Sequence, residues 1–371
     1  MAKYKVAIIG STGRGDYGHG IDVAFTKIPE VEIVALSDDS PKGLQAAAER
    51  THPQATYADY HDMLANEKLD IVAICPRWMD QHHDMLIAAA QAGCHVYMEK
   101  PFCPTLLECD NAVAQLSQKN LKLGIAHTTQ YSPILDVVQS LIKNDEIGEL
   151  LELRARGKED HRGGGEDLWV LGSHLFGMMR TLAGENATRC YSVVRQDGHS
   201  VTAADVKQGA EGIGLLAGDH INAQFEFASG VRGYFASKRA LAGSPSRFAL
   251  QIFGSKGVIE METGYLTSAH LLRDSSWSPG RTGKSWERIT SAGVGKPEPR
   301  TDANYEGGHI AAIQDLLASI RDDRTTKCNA TDCRSITEMI VAVFASHVAG
   351  GSVELPLAMR SNPLVDIGKH G

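Results

Sequence analysis

The sequence contains no Cys-x-x-Cys pair, and its seven cysteines are scattered, at positions 75, 94, 103, 109, 190, 328 and 333. An odd number of scattered thiols is typical neither of a disulfide framework nor of a zinc site. We therefore expect no metal site, and we expect reduced cysteines that mostly fill the core of a cytoplasmic protein.

Long apolar runs and an excess of positive charge are also missing. No stretch approaches the roughly 18 apolar residues that a membrane helix needs, and the first apolar run, Val6–Ile9, is too short for a secretory signal. The formal net charge is −8, so no general attraction to nucleic acid or to a membrane surface is expected. A length of 371 residues favours two domains.

From residue 5 to about 125, short apolar runs alternate with helical patterns. The run Ile71–Cys75 has no polar residue, which is typical of a parallel strand buried on both faces. The alternation predicts a parallel α/β sheet with right-handed crossovers, over a domain of residues 1–128. After about 130 the pattern changes to several alternating strands, which predict a mainly antiparallel sheet in an α/β domain over 129–371.

The first strand runs into a glycine-rich turn. A dinucleotide-binding fold uses such a turn to approach a pyrophosphate closely, with the following helix N-terminus facing the phosphates. The usual G-x-G-x-x-G pattern has a threonine at its middle glycine here, and its hydroxyl is a possible donor in place of that close approach. The alternative is a purely structural turn. The predicted cofactor contacts are Gly10, Thr12, Gly13, Arg14 and Gly15.

Asp38 ends the second strand, about twenty residues beyond the turn. A carboxylate there accepts hydrogen bonds from both ribose hydroxyls and repels a 2′-phosphate, so NAD is favoured over NADP. Lys42 and Arg14 argue the other way, and a helix-capping role for Asp38 is the alternative. Pro76 and Arg77 follow the strand Ile71–Cys75 and are expected beside the cofactor.

The segment from Ala92 to Phe102 reads Ala-Gly-Cys-His-Val-Tyr-Met-Glu-Lys-Pro-Phe. It closely resembles the same segment of the glucose-fructose oxidoreductase / inositol dehydrogenase / MocA (Gfo/Idh/MocA) family, and Glu99-Lys100-Pro101 is its most specific part. The resemblance continues at Ile71–Pro76, His82–Gly93, Gln130–Pro133, Ile147–Glu149, Gly172–His174, Phe253–Gly257 and Val353–Leu357.

The resemblance implies a Rossmann domain followed by an α/β domain on a large open, mainly antiparallel sheet. It implies NAD or NADP, a carbohydrate-like substrate, and a homodimer or homotetramer formed through that sheet. It makes Lys100 and His174 the acid/base pair that removes the hydroxyl proton during hydride transfer. It also adds Glu99, Lys100 and Gln130 to the cofactor contacts.

The sequence departs from the family where many members carry aspartates, because Val170 and Gly177 stand there. The glycine-rich stretch before them looks like a rebuilt substrate wall. Its basic residues are candidates for binding an anionic group, and its acids are candidates for a replacement acid/base. A solvated charged loop is the alternative. The predicted substrate residues are Lys158, His161, Arg162, Glu166, Asp167, Trp169 and Ser173.

Three functions remain open from the sequence. The first is an NAD-dependent oxidoreductase that acts on a CH–OH group of a sugar, inositol or sugar acid. The second is an NAD-dependent glycoside hydrolase that oxidises one carbon transiently, eliminates the glycosidic group, adds water and reduces the ketone again. The third is a non-catalytic sensor that binds the cofactor, against which intact Lys100 and His174 argue.

Overall fold

A computed structural model of the chain describes residues 3–241, 243 and 246–367. The chain divides into two compact units. The first comprises Met1–Thr128, Ala210–Gly214 and Asn304–Thr337. The second comprises Thr129–Gly209, Leu215–Ala303 and Glu338–Gly371. Two later stretches of the chain therefore join the N-terminal one in the first unit.

The secondary structure of the described residues follows in chain order. The strands are β1 (Tyr4–Ile9), β2 (Val31–Ser37), β3 (Ala55–Tyr57), β4 (Ile71–Ile74), β5 (His95–Met98), β6 (Leu123–Ile125), β7 (Leu150–Arg156), β8 (Ala187–Gln196), β9 (His199–Ser200), β10 (Lys207–Gln208), β11 (Leu215–Leu216), β12 (His220–Phe227), β13 (Arg232–Lys238), β14 (Ala249–Gly254), β15 (Val258–Glu262), β16 (Ala269–Leu272), β17 (Glu287–Thr290), β18 (Gly293–Val294) and β19 (Val353–Glu354). The helices are α1 (Ile21–Thr26), α2 (Pro41–Thr51), α3 (Tyr60–Asn66), α4 (His82–Gln91), α5 (Leu106–Gln118), α6 (Pro133–Lys143), α7 (Gly165–Val170), α8 (Gly172–Ala183), α9 (Pro279–Thr282), α10 (Tyr305–Arg321) and α11 (Ala330–Ala349).

The first unit is built on a parallel sheet in the order β3-β2-β1-β4-β5-β6. Its central strands are buried on both faces, as the apolar run in β4 predicts. The order reverses between β1 and β4, which is the point where an open α/β sheet binds its ligand, outside the carboxyl ends of the strands. The predicted Rossmann topology is confirmed.

Local sequence signals set the helix starts. The Ser40 side chain caps α2 by accepting from the Gly43 amide, with Pro41 in the first turn. Thr105 and Glu108 form a capping box at the start of α5. These caps satisfy amide groups that a helix start leaves without partners, and so fix where each helix leaves the strand before it.

The second unit is built on a large mixed sheet in the order β18-β17-β16-β15-β14-β7-β13-β12-β8-β19, with β9 paired to β8. Neighbours are antiparallel except β7 and β13, which run parallel. Buried and more exposed residues alternate along β12, so that one face of the strand is apolar. The predicted large, mainly antiparallel sheet is confirmed.

Two local features differ from the sequence pattern. The ten-residue strand β8 was not predicted, and it pairs with β12 along almost its whole length. Its outward positions carry Arg189, Tyr191 and Arg195, which weaken the apolar signal. The helix expected over Leu168–Leu182 is split into α7 and α8 at Leu171, whose φ of −120° interrupts the helical geometry.

All seven cysteines are free and buried, as core-filling thiols should be. No helix within the described ranges has the length and apolar character needed to cross a membrane. Histidine, cysteine and acidic side chains form no metal-binding group of three or more among the residues described.

Candidate active site

The turn between β1 and α1 is long, from Gly10 to Gly20. An isolated bridge between Ser11 and Asp16 holds it, and the Gly13 amide donates to Asp16 Oδ1 at 2.9 Å. Gly13, Gly15, Gly18 and Gly20 all have positive φ, which residues with a Cβ adopt rarely. The glycines are therefore required by the backbone path of the turn.

Two of these glycines also permit close packing on the ends of β4 and β5. A Cβ at Gly15 would overlap the main chain of Arg77, and a Cβ at Gly18 would lie 2.7 Å from Glu99 Cγ. Gly13, Gly15 and Gly18 have the full G-x-G-x-x-G spacing, three residues later than the motif taken from the sequence. Gly13 and Gly15 were among the predicted contacts, but Gly18 was missed because the motif was sought directly after the strand.

Three buried polar atoms at this turn have no hydrogen-bond partner within the described residues: Ser11 Oγ, Arg14 Nε and Arg77 Nε. All three are donors, and two carry positive charge. The backbone at Gly13 is open as well, because a Cβ placed there would have no atom within 4 Å. Donors of this kind at the carboxyl ends of β1 and β4 fit the pyrophosphate of a dinucleotide.

Arg14 and Trp78 pack against each other at this edge of the parallel sheet. The Arg14 guanidinium pairs with Asp80 and lies 4.7 Å from the centre of the Trp78 ring. The Met79 amide donates to the carbonyl oxygen of Glu211, which belongs to the same unit. Asp80 therefore already balances the positive charge of Arg14, which the sequence predicts as a cofactor contact.

Asp38 lies at the end of β2, as predicted, but its carboxylate is only 1% exposed. It accepts from the Thr12 amide and hydroxyl, the Tyr17 hydroxyl and the Ser40 amide. Burial alone would raise the pKa of Asp38, but the hydrogen bonds from Ser40, Thr12 and Tyr17 outweigh it and lower the pKa.

Thr12 requires a correction. Its hydroxyl was expected to donate to the cofactor, but it donates to Asp38 Oδ2 at 2.7 Å. A Cβ at Gly43 would overlap the Thr12 hydroxyl, so helix α2 presses the threonine into that position. Tyr17, which the sequence reasoning missed, contacts the same carboxylate.

Glu99, a predicted cofactor contact, is fully buried and contacts the chain itself. Its carboxylate lies 2.6 Å from His19 Nδ1, and it accepts the Lys100 amide at 2.8 Å. Burial would raise the pKa of Glu99, but the His19 hydrogen bond and the charges of His19 and Lys100 hold it well below its usual value. Glu99 is thus an anion that joins the glycine turn to the end of β5.

Lys100 follows directly and is 7% exposed. Its charge contributes, after burial, to lowering the pKa of His127 to about 3. A further histidine, His82, was not singled out from the sequence. Its two ring nitrogens each lie 2.7 Å from a carbonyl oxygen, those of Pro76 and Pro101. These two contacts join the ends of β4 and β5 through one side chain.

The second unit carries the other predicted catalytic residue, His174, on α8. Its ring is half-buried and packs edge-on against Phe248, with 6.0 Å between ring centres. The neighbouring Ser173 is buried. The Gln130 side chain, a predicted cofactor contact, is buried in this unit and accepts from the Thr181 hydroxyl at 2.6 Å.

The stretch between β7 and α7 is organised by Asp167, which corrects its expected role as a replacement acid. Asp167 is fully buried and accepts from the amides of Lys158 and Glu159 and, at 2.5 Å, from the Ser237 hydroxyl. Burial raises the pKa of Asp167 above its usual value despite these bonds. Trp169 is buried too, so neither side chain lines an open wall.

The three basic residues proposed for an anionic substrate group share one partner, Asp160. Arg162 bonds it at 2.6 Å, and the nitrogens of Lys158 and His161 lie within 4.0 Å. The Arg162 hydrogen bond is the main reason that the pKa of Asp160 falls to about 2. The predicted cationic patch is therefore partly neutralised, and the predicted acid Glu166 is half-buried.

The topology and the glycine turn together define a dinucleotide-binding domain. Residues 4–127 match the model of the oxidoreductase family with an NAD-binding Rossmann fold, and residues 139–355 match that of its C-terminal alpha/beta domain. The chain belongs to the Gfo/Idh/MocA oxidoreductase family, and its cofactor is NAD.

Curated relatives are distant. An uncharacterized oxidoreductase, YrbE, of Bacillus subtilis is 27% identical over 195 residues, 51% of this chain and 57% of that protein. A myo-inositol 2-dehydrogenase of Thermotoga maritima is 24% identical over 261 residues, 68% of this chain and 74% of that protein. A glycosyl hydrolase family 109 protein of a Shewanella species is 29% identical over 182 residues, 44% of this chain and 39% of that protein.

Solved structures share the fold over nearly the whole chain. A levoglucosan dehydrogenase in complex with NADH and levoglucosan superposes with a TM-score of 0.76 at 18% identity, covering 96% of this chain and 100% of that one. An oxidoreductase from Agrobacterium radiobacter in complex with NAD+, L-tartaric acid and magnesium gives 0.72 at 17% identity, covering 95% and 98%. At this identity the likeness establishes the architecture alone.

Proposed function

We propose that the protein is an NAD-dependent dehydrogenase that oxidises a CH–OH group of a sugar, an inositol or a sugar acid. The observation that carries the proposal is Lys100, an almost wholly buried ammonium at the end of β5 whose backbone is held by Glu99. Burial disfavours the charged form of a lysine, so a lysine kept in a dry site is suited to give up and take back a proton.

In this proposal Ser11, Gly13, Arg14, Gly15 and Arg77 hold NAD, which supplies the hydride acceptor when bound. The chain's own residues manage the proton. Lys100 accepts the proton of the substrate hydroxyl, and the family resemblance gives His174 a part in the same step.

A second candidate is the redox-neutral glycoside hydrolase, and Glu166 is the observation that favours it. That reaction needs one more acid/base, to take the proton from the carbon next to the transient ketone. Glu166 is a half-buried carboxyl at the start of α7, in the same unit as His174. A glycosyl hydrolase family 109 protein is among the relatives of this chain, 29% identical over 182 residues.

One experiment separates the candidates. The protein is incubated with NAD and a panel of free sugars, inositols, sugar acids and aryl glycosides. Growth of NADH absorbance in proportion to substrate supports the dehydrogenase. Release of the aryl group without net NADH supports the hydrolase. If neither occurs while NAD binds in a calorimetric titration, both enzymatic proposals fail and the cofactor-binding sensor remains.

We further propose a homodimer or homotetramer formed through the exposed face of the second unit's sheet. That face forms a concave surface of about 990 Å³ lined by Arg154, Arg156, Tyr191, Tyr234 and His270, among others. Tyr191 is 49% exposed in the single chain, and aromatic and arginine side chains are common at interfaces. Light scattering should give a multiple of 40.0 kDa. Tyr191→Asp should reduce that mass, while Leu107→Asp in the first unit should not.

The buried thiols support a reducing compartment, and we place the protein in the cytoplasm.

A further inference from the structure

Tyr17 lies in the glycine turn with its side chain folded inward. It is 6% exposed, and its ring covers Gly10 so closely that a Cβ at Gly10 would overlap it. Its hydroxyl donates to Asp38 Oδ2 at 2.8 Å, and the Arg50 guanidinium lies 4.5 Å from the centre of its ring. One side chain therefore covers both the first glycine of the turn and the acid at the end of β2.

Asp38 has no acceptor capacity left in this arrangement. A carboxylate offers about four lone-pair positions, and four donors of the chain use them. Oδ1 accepts from the Thr12 amide at 3.2 Å and the Ser40 amide at 2.9 Å. Oδ2 accepts from the Thr12 hydroxyl at 2.7 Å and the Tyr17 hydroxyl at 2.8 Å. A ribose that uses Asp38 must replace at least one of these donors.

The four donors are not equally replaceable. Two are backbone amides, and the Thr12 hydroxyl is pressed against Gly43. Tyr17 is the exception, because it sits between Asp16 and Gly18, which both have positive φ and lie in a turn rich in glycine. A phenol and a ribose hydroxyl are the same kind of donor, so one can replace the other without leaving the buried carboxylate unpaired.

We propose that Tyr17 determines the affinity and the choice of cofactor, by occupying on Asp38 the acceptor position that a ribose hydroxyl of NAD takes when it displaces the phenol. NAD returns a hydroxyl donor to Asp38 on binding. NADP carries a phosphate at the 2′ position instead, which has no equivalent hydroxyl and is repelled by the carboxylate. NAD therefore displaces the phenol with compensation, whereas NADP leaves the phenol on Asp38.

The charge state of the pair agrees with this role. Burial and the hydrogen bond to Asp38 raise the pKa of Tyr17 above its usual value, so the phenol is a protonated donor throughout the physiological range. The inference concerns cofactor binding alone. A failure of the sugar panel would overturn the proposed function and leave this inference standing.

The test is the binding of NAD and NADP to Tyr17→Phe, measured by calorimetry. Removing the hydroxyl frees one acceptor on Asp38 and keeps the ring, so the Kd of NAD should fall by about three- to ten-fold while that of NADP changes less than two-fold. Tyr57→Phe is the matched control, because the Tyr57 hydroxyl donates to Glu67 at 2.7 Å and not to Asp38. That variant should bind both cofactors like the wild type.

An NAD affinity that is unchanged or weaker in Tyr17→Phe overturns the proposal and makes Tyr17 a structural support of the turn. Equal tightening of NAD and NADP overturns it as well, since the phenol would then obstruct both cofactors alike.

A measurement on the unmodified chain is independent of the variant's folding. Tyr17 should resist nitration by tetranitromethane without cofactor and become reactive with saturating NAD, as read by peptide mass spectrometry. Continued protection with NAD contradicts the displacement.

Discussion

The Nδ1 atom of His19 lies 2.6 Å from Oε1 of Glu99, a carboxylate with no exposed surface. His19 stands in the glycine turn and Glu99 at the end of β5, directly before Lys100. The contact therefore joins the cofactor turn to the proposed catalytic lysine. A buried carboxylate that loses such a partner keeps its charge without compensation.

His19→Leu should lower the free energy of unfolding by about 2–3 kcal/mol, because Glu99 then remains buried without this partner. Denaturation in urea measures the change. His83→Leu is the control, since His83 pairs with the exposed Asp84 and such surface pairs contribute about 0–1 kcal/mol. Equal effects of the two substitutions would mean that the His19–Glu99 contact adds nothing specific.

Stability should fall as the pH drops below about 6.5, the pKa of a histidine in an unfolded chain. Burial lowers the pKa of His127 to about 3 and that of His309 to about 4. The unfolded chain therefore takes up protons that the folded chain refuses. The stability that these neutral histidines contribute is complete above pH 6.5. It is lost as the pH falls toward their pKa values in the folded chain, by up to about 1.4 kcal/mol per pH unit for each histidine.

Urea denaturation at a series of pH values from 7 to 4 checks this slope. His309→Leu should flatten it, whereas His161→Leu, at a ring that is 85% exposed, should retain it. A slope that is the same in all three proteins would show that the buried histidines do not account for it.

Lys100→Met should reduce turnover by at least about 100-fold, the usual contribution of a positioned acid/base. Calorimetry should still detect NAD binding, because the glycine turn and its donors are unchanged. Lys119→Met, at an exposed lysine that donates to the Gln91 carbonyl, should behave like the wild type. Near-normal turnover of Lys100→Met would remove this lysine from the mechanism.

Glu166 and Asp167 are neighbours, and their substitution should have different consequences. Asp167→Ala removes the acceptor of the Lys158 and Glu159 amides and the Ser237 hydroxyl, so the free energy of unfolding should fall by about 2–4 kcal/mol. Glu166→Gln keeps the size and the hydrogen-bonding capacity of the side chain, so it should change stability by less than about 1 kcal/mol, and under the hydrolase proposal it should lower kcat. Full activity of Glu166→Gln would exclude Glu166 as an acid/base.

The fold was largely predictable because its signals are local. Apolar runs such as β4 and caps such as Ser40 act within one strand or one helix turn, so their spacing in the sequence is sufficient. The strand β8 escaped prediction because Arg189, Tyr191 and Arg195 face outward on a sheet whose extent the sequence does not reveal.

The partners of the polar side chains were predictable only in part. Asp38 was expected at the end of β2 and lies there, but its bonds to Thr12 and Tyr17 depend on the path of the glycine turn across the sheet. The same holds for Asp160, which neutralises a basic cluster that looks free in the sequence. Such partners lie close in space only after the backbone has folded.

By itself, the sequence determined the order of the first unit's main strands and helices, the first glycines of the cofactor turn and the Glu99-Lys100-Pro101 strand end. These follow from periodicity and from backbone conformations that few residues adopt. The tertiary structure alone decided which charged side chains are paired within the protein, because hydrogen bonds are short and directional and select partners by position in space. Glu99 and Asp167 were thereby found to bond groups of the chain itself, and Tyr17 was found on Asp38, the acid proposed to bind the cofactor.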